Sequence, residues 1–151
     1  MLKLLIPPPA WLLLFAASMW AIDRTFPLFE WLSEPWNKIG LVLIGSAFLI
    51  DLTSLMTFFK KHTTPNPFRP RKTQTIVTTG PYSFTRNPMY LGMVIILTGW
   101  GVYLGSVTPF VLIPPFVWII TVMQIIPEED ILEEKFGQEY LDYKVRVKRW
   151  I

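Results

Sequence analysis

The chain has 151 residues, 52% hydrophobic and only 17% charged, with a net charge of +3. With no cysteine it has no disulfide framework, thiolate metal site or cysteine nucleophile, and a single histidine, His62, argues against a multi-histidine metal centre. The charges lie almost wholly outside four long apolar runs, which points to one all-α, polytopic membrane domain over residues 1–151.

In chain order the expected spans are residues 4–22, 39–59, 89–104 and 107–126. A spanning helix needs about 20 apolar residues. The second and fourth runs supply that alone. The first needs Leu4–Pro9 to extend the apolar stretch Ala10–Ile22, and the third is short. Ala21-Ile22-Asp23 is a poor cleavage site, so the first run reads as a retained helix and not as a cleaved signal. Residues 23–38 carry two basic and three acidic side chains, and Phe26–Trp36 reads as lying along the membrane surface. Trp20, Trp31, Trp36, Trp100 and Tyr103 gather at the same ends of the spans, as an interfacial aromatic belt does. Asp51 falls inside the second span. An ionisable group there is a functional candidate by default, and pairing with a neighbouring helix explains it equally.

The loop over residues 60–88 holds Lys60, Lys61, Arg69, Arg71, Lys72 and Arg86 and no acidic residue. The positive-inside rule places it in the cytoplasm, the 23–38 segment and the Gly105-Ser106 turn outside, and both termini inside; for a bacterial chain this is the inner membrane. Arg69, Arg71 and Lys72 read as anchors to anionic lipid, and His62 as a solvated loop residue. At the end of this loop Gly80-Pro81 signals a turn, and Asn87-Pro88 an N-cap followed by proline at the first helical position. Arg86 thus lies just ahead of a helix N-terminus, where free N–H groups and the helix dipole favour an anion. A proline-capped helix start with a headgroup arginine fits the same residues. Pro109, Pro114 and Pro115 should bend the fourth span.

A cytoplasmic amphipathic helix is expected over residues 127–147. Pro127 opens it, Glu128, Glu129 and Asp130 complement its positive end, and Lys144, Arg146, Lys148 and Arg149 gather at the other. Leu132, Phe136, Tyr140, Tyr143 and Val147 recur at spacings of 4, 4, 3 and 4, giving one apolar face that must pack on the span ends or the 60–88 loop. At least one of Glu128 and Glu129 should point inward; dipole complementation is the simpler reading of Glu128. Tyr140 and Tyr143 read first as packing residues. There is no strand followed by Gly-x-Gly-x-x-Gly, which excludes a Rossmann-type cofactor domain, and no nucleic-acid reading element.

Two blocks carry a resemblance. Thr79-Gly-Pro-Tyr-Ser-Phe-Thr-Arg-Asn-Pro-Met-Tyr-Leu-Gly92 and Glu128-Glu129-Asp-Ile-Leu132, continuing to Phe136-Gly137, Tyr140, Tyr143 and Val147, resemble the isoprenylcysteine carboxyl methyltransferase and phospholipid methyltransferase family. The blocks cover roughly the C-terminal half. The resemblance implies S-adenosylmethionine as cofactor and a hydrophobic or lipid-linked methyl acceptor, with no nucleic-acid partner. It also implies a cofactor site of Gly80, Pro81, Tyr82, Arg86, Asn87, Pro88, Tyr90, Gly92, Glu129 and Tyr140, with Arg86 and Glu129 as the catalytic pair. Asn87 replaces a histidine of the eukaryotic members, no basic residue stands in Gln124–Pro127 before the Glu-Glu pair, and the chain is shorter. These departures bear on the acceptor more than on the cofactor. A carboxylate like that of isoprenylcysteine, a phospholipid amine and a thiol all stay open. Competing readings are an NADPH-dependent membrane reductase of related architecture and a non-enzymatic module whose tail docks a partner.

Overall fold

The computed structural model describes residues 6–60 and 75–151. His62, Lys61, Arg69, Arg71 and Lys72, and the start of the first expected span, lie outside the described residues. The elements are α1 (Pro8–Thr25), a 3-10 turn (Trp36–Lys38) running into α2 (Ile39–Lys60), a 3-10 turn (Gly80–Ser83), α3 (Pro88–Leu104) and a 3-10 turn (Thr108–Leu112). They continue with α4 (Ile113–Ile120), a π-turn (Thr121–Ile125), α5 (Ile126–Phe136) and α6 (Gln138–Arg146). Among the described residues the fold is helical, with one isolated antiparallel bridge between Glu30 and Ser106.

The core forms where α1, α3 and α4 meet. Phe15 and Met19 of α1, Met93 and Leu97 of α3, and Phe116 and Ile120 of α4 are buried together. Phe15 and Phe116 meet edge to face with ring centroids 5.3 Å apart. Trp100 Nε1 donates to the Ala16 carbonyl at 3.0 Å, which satisfies a polar group the core would otherwise strand. α2 packs on α3 through small residues. A Cβ on Gly99 would come within 2.6 Å of the Gly40 carbonyl oxygen, and one on Gly40 would overlap the Gly99 carbonyl. This backbone-to-backbone approach is the packing mode that helices use in lipid, where apolar burial alone gives little drive to associate. Gly99→Val is expected to force α2 and α3 apart and cost about 1–3 kcal/mol. Thermal unfolding in detergent would measure it, and an unchanged transition would contradict the contact.

The opposite face of α2 is uncovered. Leu41, Val42, Phe48, Leu49, Leu52 and Phe59 are all exposed, far more apolar surface than a water-soluble monomer leaves open. Trp36–Thr57 (22 residues) and Thr108–Phe136 (29 residues) are long and apolar enough to cross a membrane; α3 is apolar but shorter, at 17 residues. The segment after α1 docks on the turn after α3. Trp31 N–H donates to the Gly105 carbonyl at 3.0 Å and Val107 N–H to the Phe29 carbonyl at 3.0 Å, with Gly105 at φ +88° closing α3.

Two expectations change. The fourth apolar run and the start of the tail form one continuous helical stretch, Thr108–Phe136, and the prolines alter its hydrogen-bond register without interrupting it. Pro109 lies in the 3-10 turn and Pro114 and Pro115 in the first turn of α4. The π-turn immediately precedes α5, which has Pro127 in its first turn; widening the helix there accommodates a residue that cannot donate backward. The tail is also two helices, not one over 127–147. It breaks at Gly137, whose φ of +54° is a conformation that residues with side chains rarely adopt. Lys144 Nζ then ties α6 back to Glu133 of α5 at 2.8 Å.

Candidate functional site

The turn after the basic loop is set by glycine and proline. Gly80 takes φ +64°, and a Cβ there would lie 3.1 Å from Thr57 Oγ1, so the turn rests against the end of α2. Pro81 is the second residue of the 3-10 turn, and its carbonyl accepts from the N–H groups of Phe84 and Thr85. Tyr82 is thereby buried. Its carbonyl accepts the Tyr143 hydroxyl of α6 at 2.7 Å, which brings the tail onto the turn.

Asn87 occupies the N-cap position of α3 and Pro88 its first turn, as the sequence indicates, yet the Asn87 side chain does not cap the helix. Its amide Nδ2 donates instead to the Arg149 carbonyl at 3.0 Å. Two further groups bind the same strap after α6: Arg86 N–H donates to the Lys148 carbonyl at 3.0 Å, and Thr85 Oγ1 to the Arg149 carbonyl at 3.2 Å. Trp150 packs against the core cluster beyond them.

At the centre is Glu129, 5% exposed, on the first turn of α5. Its Oε1 accepts from Arg86 Nη2 at 2.9 Å and from Arg149 Nε at 3.0 Å, and its Oε2 from Arg149 Nη2 at 2.7 Å. Arg86 is buried at 8% side-chain exposure, Arg149 half-buried at 37%. The bond to Glu129 raises the Arg149 pKa above its ordinary value, against an opposing desolvation. Arg86 Nε is buried and makes no hydrogen bond among the described residues. In the first turn of α3, Tyr90 donates its hydroxyl to Glu128 Oε1 at 2.6 Å, so Glu128 serves a specific contact as well as the helix dipole. Tyr140 and Tyr143 of α6 are buried with ring centroids 6.2 Å apart. Burial and the nearby Glu129 push the Tyr140 hydroxyl up; burial pushes Tyr143 up to about 12, with Arg86 and Arg146 pulling the other way. Both stay protonated at neutral pH, and the Tyr143 proton is the one donated to the Tyr82 carbonyl.

Helix packing therefore brings Gly80, Pro81, Tyr82, Arg86, Asn87, Pro88, Tyr90, Glu129 and Tyr140 to one end of the molecule. Gly92 faces α2: a Cβ there would overlap the Asp51 carboxylate, whose Oδ1 is buried and has no hydrogen-bond partner among the described residues. Gly92→Ala should therefore disturb Asp51 before it disturbs the Arg86–Glu129 pair. Arg149 is the participant that sequence reasoning gave only a helix-end role. The available signal was a basic-aromatic run, Lys148-Arg149-Trp150, directly after an amphipathic helix.

The arrangement holds a fixed cation, two carboxylates and the Tyr140 hydroxyl, the Tyr90 and Tyr143 hydroxyls being committed to Glu128 and the Tyr82 carbonyl, and this is a set complementary to a small zwitterion. A family model described as phospholipid methyltransferase matches residues 36–139, well over half the chain, including Arg86, Glu128 and Glu129 but not Tyr140 or Arg149. Protein-S-isoprenylcysteine O-methyltransferase B of Arabidopsis thaliana is 28% identical over 121 residues, 79% of this chain and 61% of its own length. Its A counterpart is 29% identical over 118 residues, 77% of this chain and 60% of its own. The chain thus spans about three-fifths of the length of these relatives. An uncharacterized protein of Haemophilus influenzae is 41% identical over 63 residues, its whole length and 42% of this chain. No solved structure matches the chain.

Proposed function

Because the chain belongs to the phospholipid methyltransferase family, we propose that it is an S-adenosylmethionine-dependent methyltransferase of the membrane, acting on a hydrophobic or lipid-borne acceptor. The observation that carries this reading is the buried Arg86, held by Glu129 through Nη2 alone and with no partner for Nε among the described residues. S-adenosylmethionine presents one carboxylate and two cationic groups, and the site offers the matching set. Arg86 can bind the carboxylate. Glu128, oriented by the Tyr90 hydroxyl, can hold a cation. Tyr140 and Tyr143 stay protonated beside them.

When bound, the cofactor supplies an electrophilic methyl on sulfur; a carboxylate or thiolate acceptor needs no general base, and an amine needs one only to take the proton of its ammonium form. The protein's contribution is then positioning and exclusion of water, which the buried tyrosines and the strap over Arg86 both serve. The apolar faces of α2 and of the Thr108–Phe136 stretch would let a lipid-borne acceptor approach sideways, its reacting group being a carboxylate, an amine or a thiol. The reading includes four spans in an inner membrane, with this end of the bundle and both termini in the cytoplasm. The lack of acidic residues between Lys60 and Pro88 supports that orientation.

Isothermal titration of S-adenosylmethionine, its demethylated product and NADPH into detergent-purified protein tests the proposal. Sulfonium-cofactor binding is expected in the wild type and its loss in Arg86→Ala, which should remain folded because Glu129 keeps its two bonds to Arg149. NADPH binding would favour the reductase reading, and silence toward all three in folded protein would favour a docking module. Unaltered methyl transfer in Arg86→Ala would remove Arg86 from the site.

A further inference from the structure

Glu129 is shared unequally between its two arginines. Arg149 gives it a complete fork, Nε to Oε1 and Nη2 to Oε2, at 3.0 and 2.7 Å. Arg86 gives it one bond, from Nη2 at 2.9 Å, while Arg86 Nε is buried and has no partner among the described residues. Nε and Nη2 form one edge of a guanidinium, the edge that matches a carboxylate with two parallel hydrogen bonds. Glu129 thus fills the fork of Arg149 and only half the fork of Arg86. The strap fixes this inequality, since the Lys148 and Arg149 carbonyls are bound by Arg86 N–H, Thr85 Oγ1 and Asn87 Nδ2. Two arginines thus share the Glu129 carboxylate, while the neighbouring Glu128 carboxylate is bonded to the Tyr90 hydroxyl.

We propose that Arg149 is a positioning residue that retains Glu129 so that the Nε–Nη2 edge of Arg86 can receive the carboxylate of a bound ligand. The proposal rests on the methyltransferase reading for the ligand's identity, with the methionyl carboxylate of S-adenosylmethionine as the anion. Glu129 gives up one of its three hydrogen bonds and remains neutralised, and Arg86 exchanges a half-used edge for a fully used one. Without Arg149, Glu129 turns its whole carboxylate on Arg86 and competes with the ligand.

The test compares wild type, Arg149→Ala, Arg149→Lys, Glu129→Gln and the Arg149→Ala/Glu129→Gln double variant, titrated with S-adenosylmethionine and with S-adenosylhomocysteine. Arg149→Ala is expected to weaken both by about tenfold, the worth of a charged hydrogen bond, and to raise KM with kcat little changed. Lysine, a point charge without a fork, should restore only part of the loss. In the Glu129→Gln background Arg149→Ala should have no further effect on affinity. A role confined to holding the strap would lower the folded fraction and leave the affinity of folded protein unchanged, which would overturn the proposal. A readout without ligand is the double-mutant cycle in thermal unfolding, where Arg149→Ala should cost stability in the wild type and clearly less in the Glu129→Gln background. An equal cost in both backgrounds would also overturn it. Failure of the wild type to bind either compound would count against the methyltransferase reading, and the cycle would still judge the role of Arg149.

Discussion

Glu129→Ala is expected to be the most destabilising single substitution at this end of the protein, far beyond Arg86→Ala. The reason is which charges remain. Removing Arg86 leaves Glu129 bonded twice to Arg149, whereas removing the Glu129 carboxylate leaves two guanidiniums facing each other, Arg86 among them at 8% exposure. Stranding a buried charge this way costs about 3–5 kcal/mol. Arg149 at 37% exposure can turn toward solvent, so the penalty falls mainly on Arg86. Glu129→Gln keeps an acceptor and should lie between wild type and alanine. Adding Arg86→Met to Glu129→Ala removes the stranded charge and should recover part of the loss. Thermal unfolding of the purified variants in one detergent measures all of these. If Glu129→Ala melts no lower than the exposed Glu139→Ala, the buried ion cluster does not hold the fold.

The helices themselves are written plainly in the chain. Asn87-Pro88 marks the start of α3, and the apolar runs at 39–59 and 107–126 overlap the two longest helical stretches almost throughout. What hydropathy does not carry is how helices touch. The Gly40–Gly99 approach and the space that Gly92 leaves for Asp51 come from helix register across some 50 residues of sequence, and a lone glycine in an apolar run gives no partner. The tail shows a different limit. Leu132, Phe136, Tyr140, Tyr143 and Val147 keep helical spacing through Gly137, so the periodicity hid a break that the positive φ at Gly137 imposes.

The site was legible where a motif supplied both partners. Arg86 and Glu129 each belong to a recognisable block, and packing joins them across 43 residues. Glu128 lacked such a cue: next to Pro127 and Asp130 at a helix start it has the features of a dipole-complementing acid, and only the fold brings the Tyr90 hydroxyl to it. Arg149 was the least legible. It follows α6 in irregular chain, where no periodicity assigns a direction, and its role depends on backbone carbonyls that sequence does not distinguish.

That strap carries the second large expected effect. A variant lacking residues 148–151 loses the acceptors of Arg86 N–H, Thr85 Oγ1 and Asn87 Nδ2. At about 1 kcal/mol for each hydrogen bond, this is roughly 3 kcal/mol before the packing of Trp150 is counted. The truncation also removes the fork that holds Glu129, so Glu129 must turn wholly to Arg86. The two consequences separate experimentally. Trp150→Ala keeps every backbone acceptor and should lower stability while leaving hydrogen exchange at the Arg86 amide slow, because the Lys148 carbonyl still covers it. The truncation should open that amide to fast exchange and weaken S-adenosylmethionine binding beyond the Arg149→Ala effect. Slow exchange at Arg86 in the truncated protein would mean that the turn holds itself, and the strap would then matter only through Arg149. Fast exchange together with lost binding would make the last few residues an integral wall of the site, built from main chain as much as from side chains.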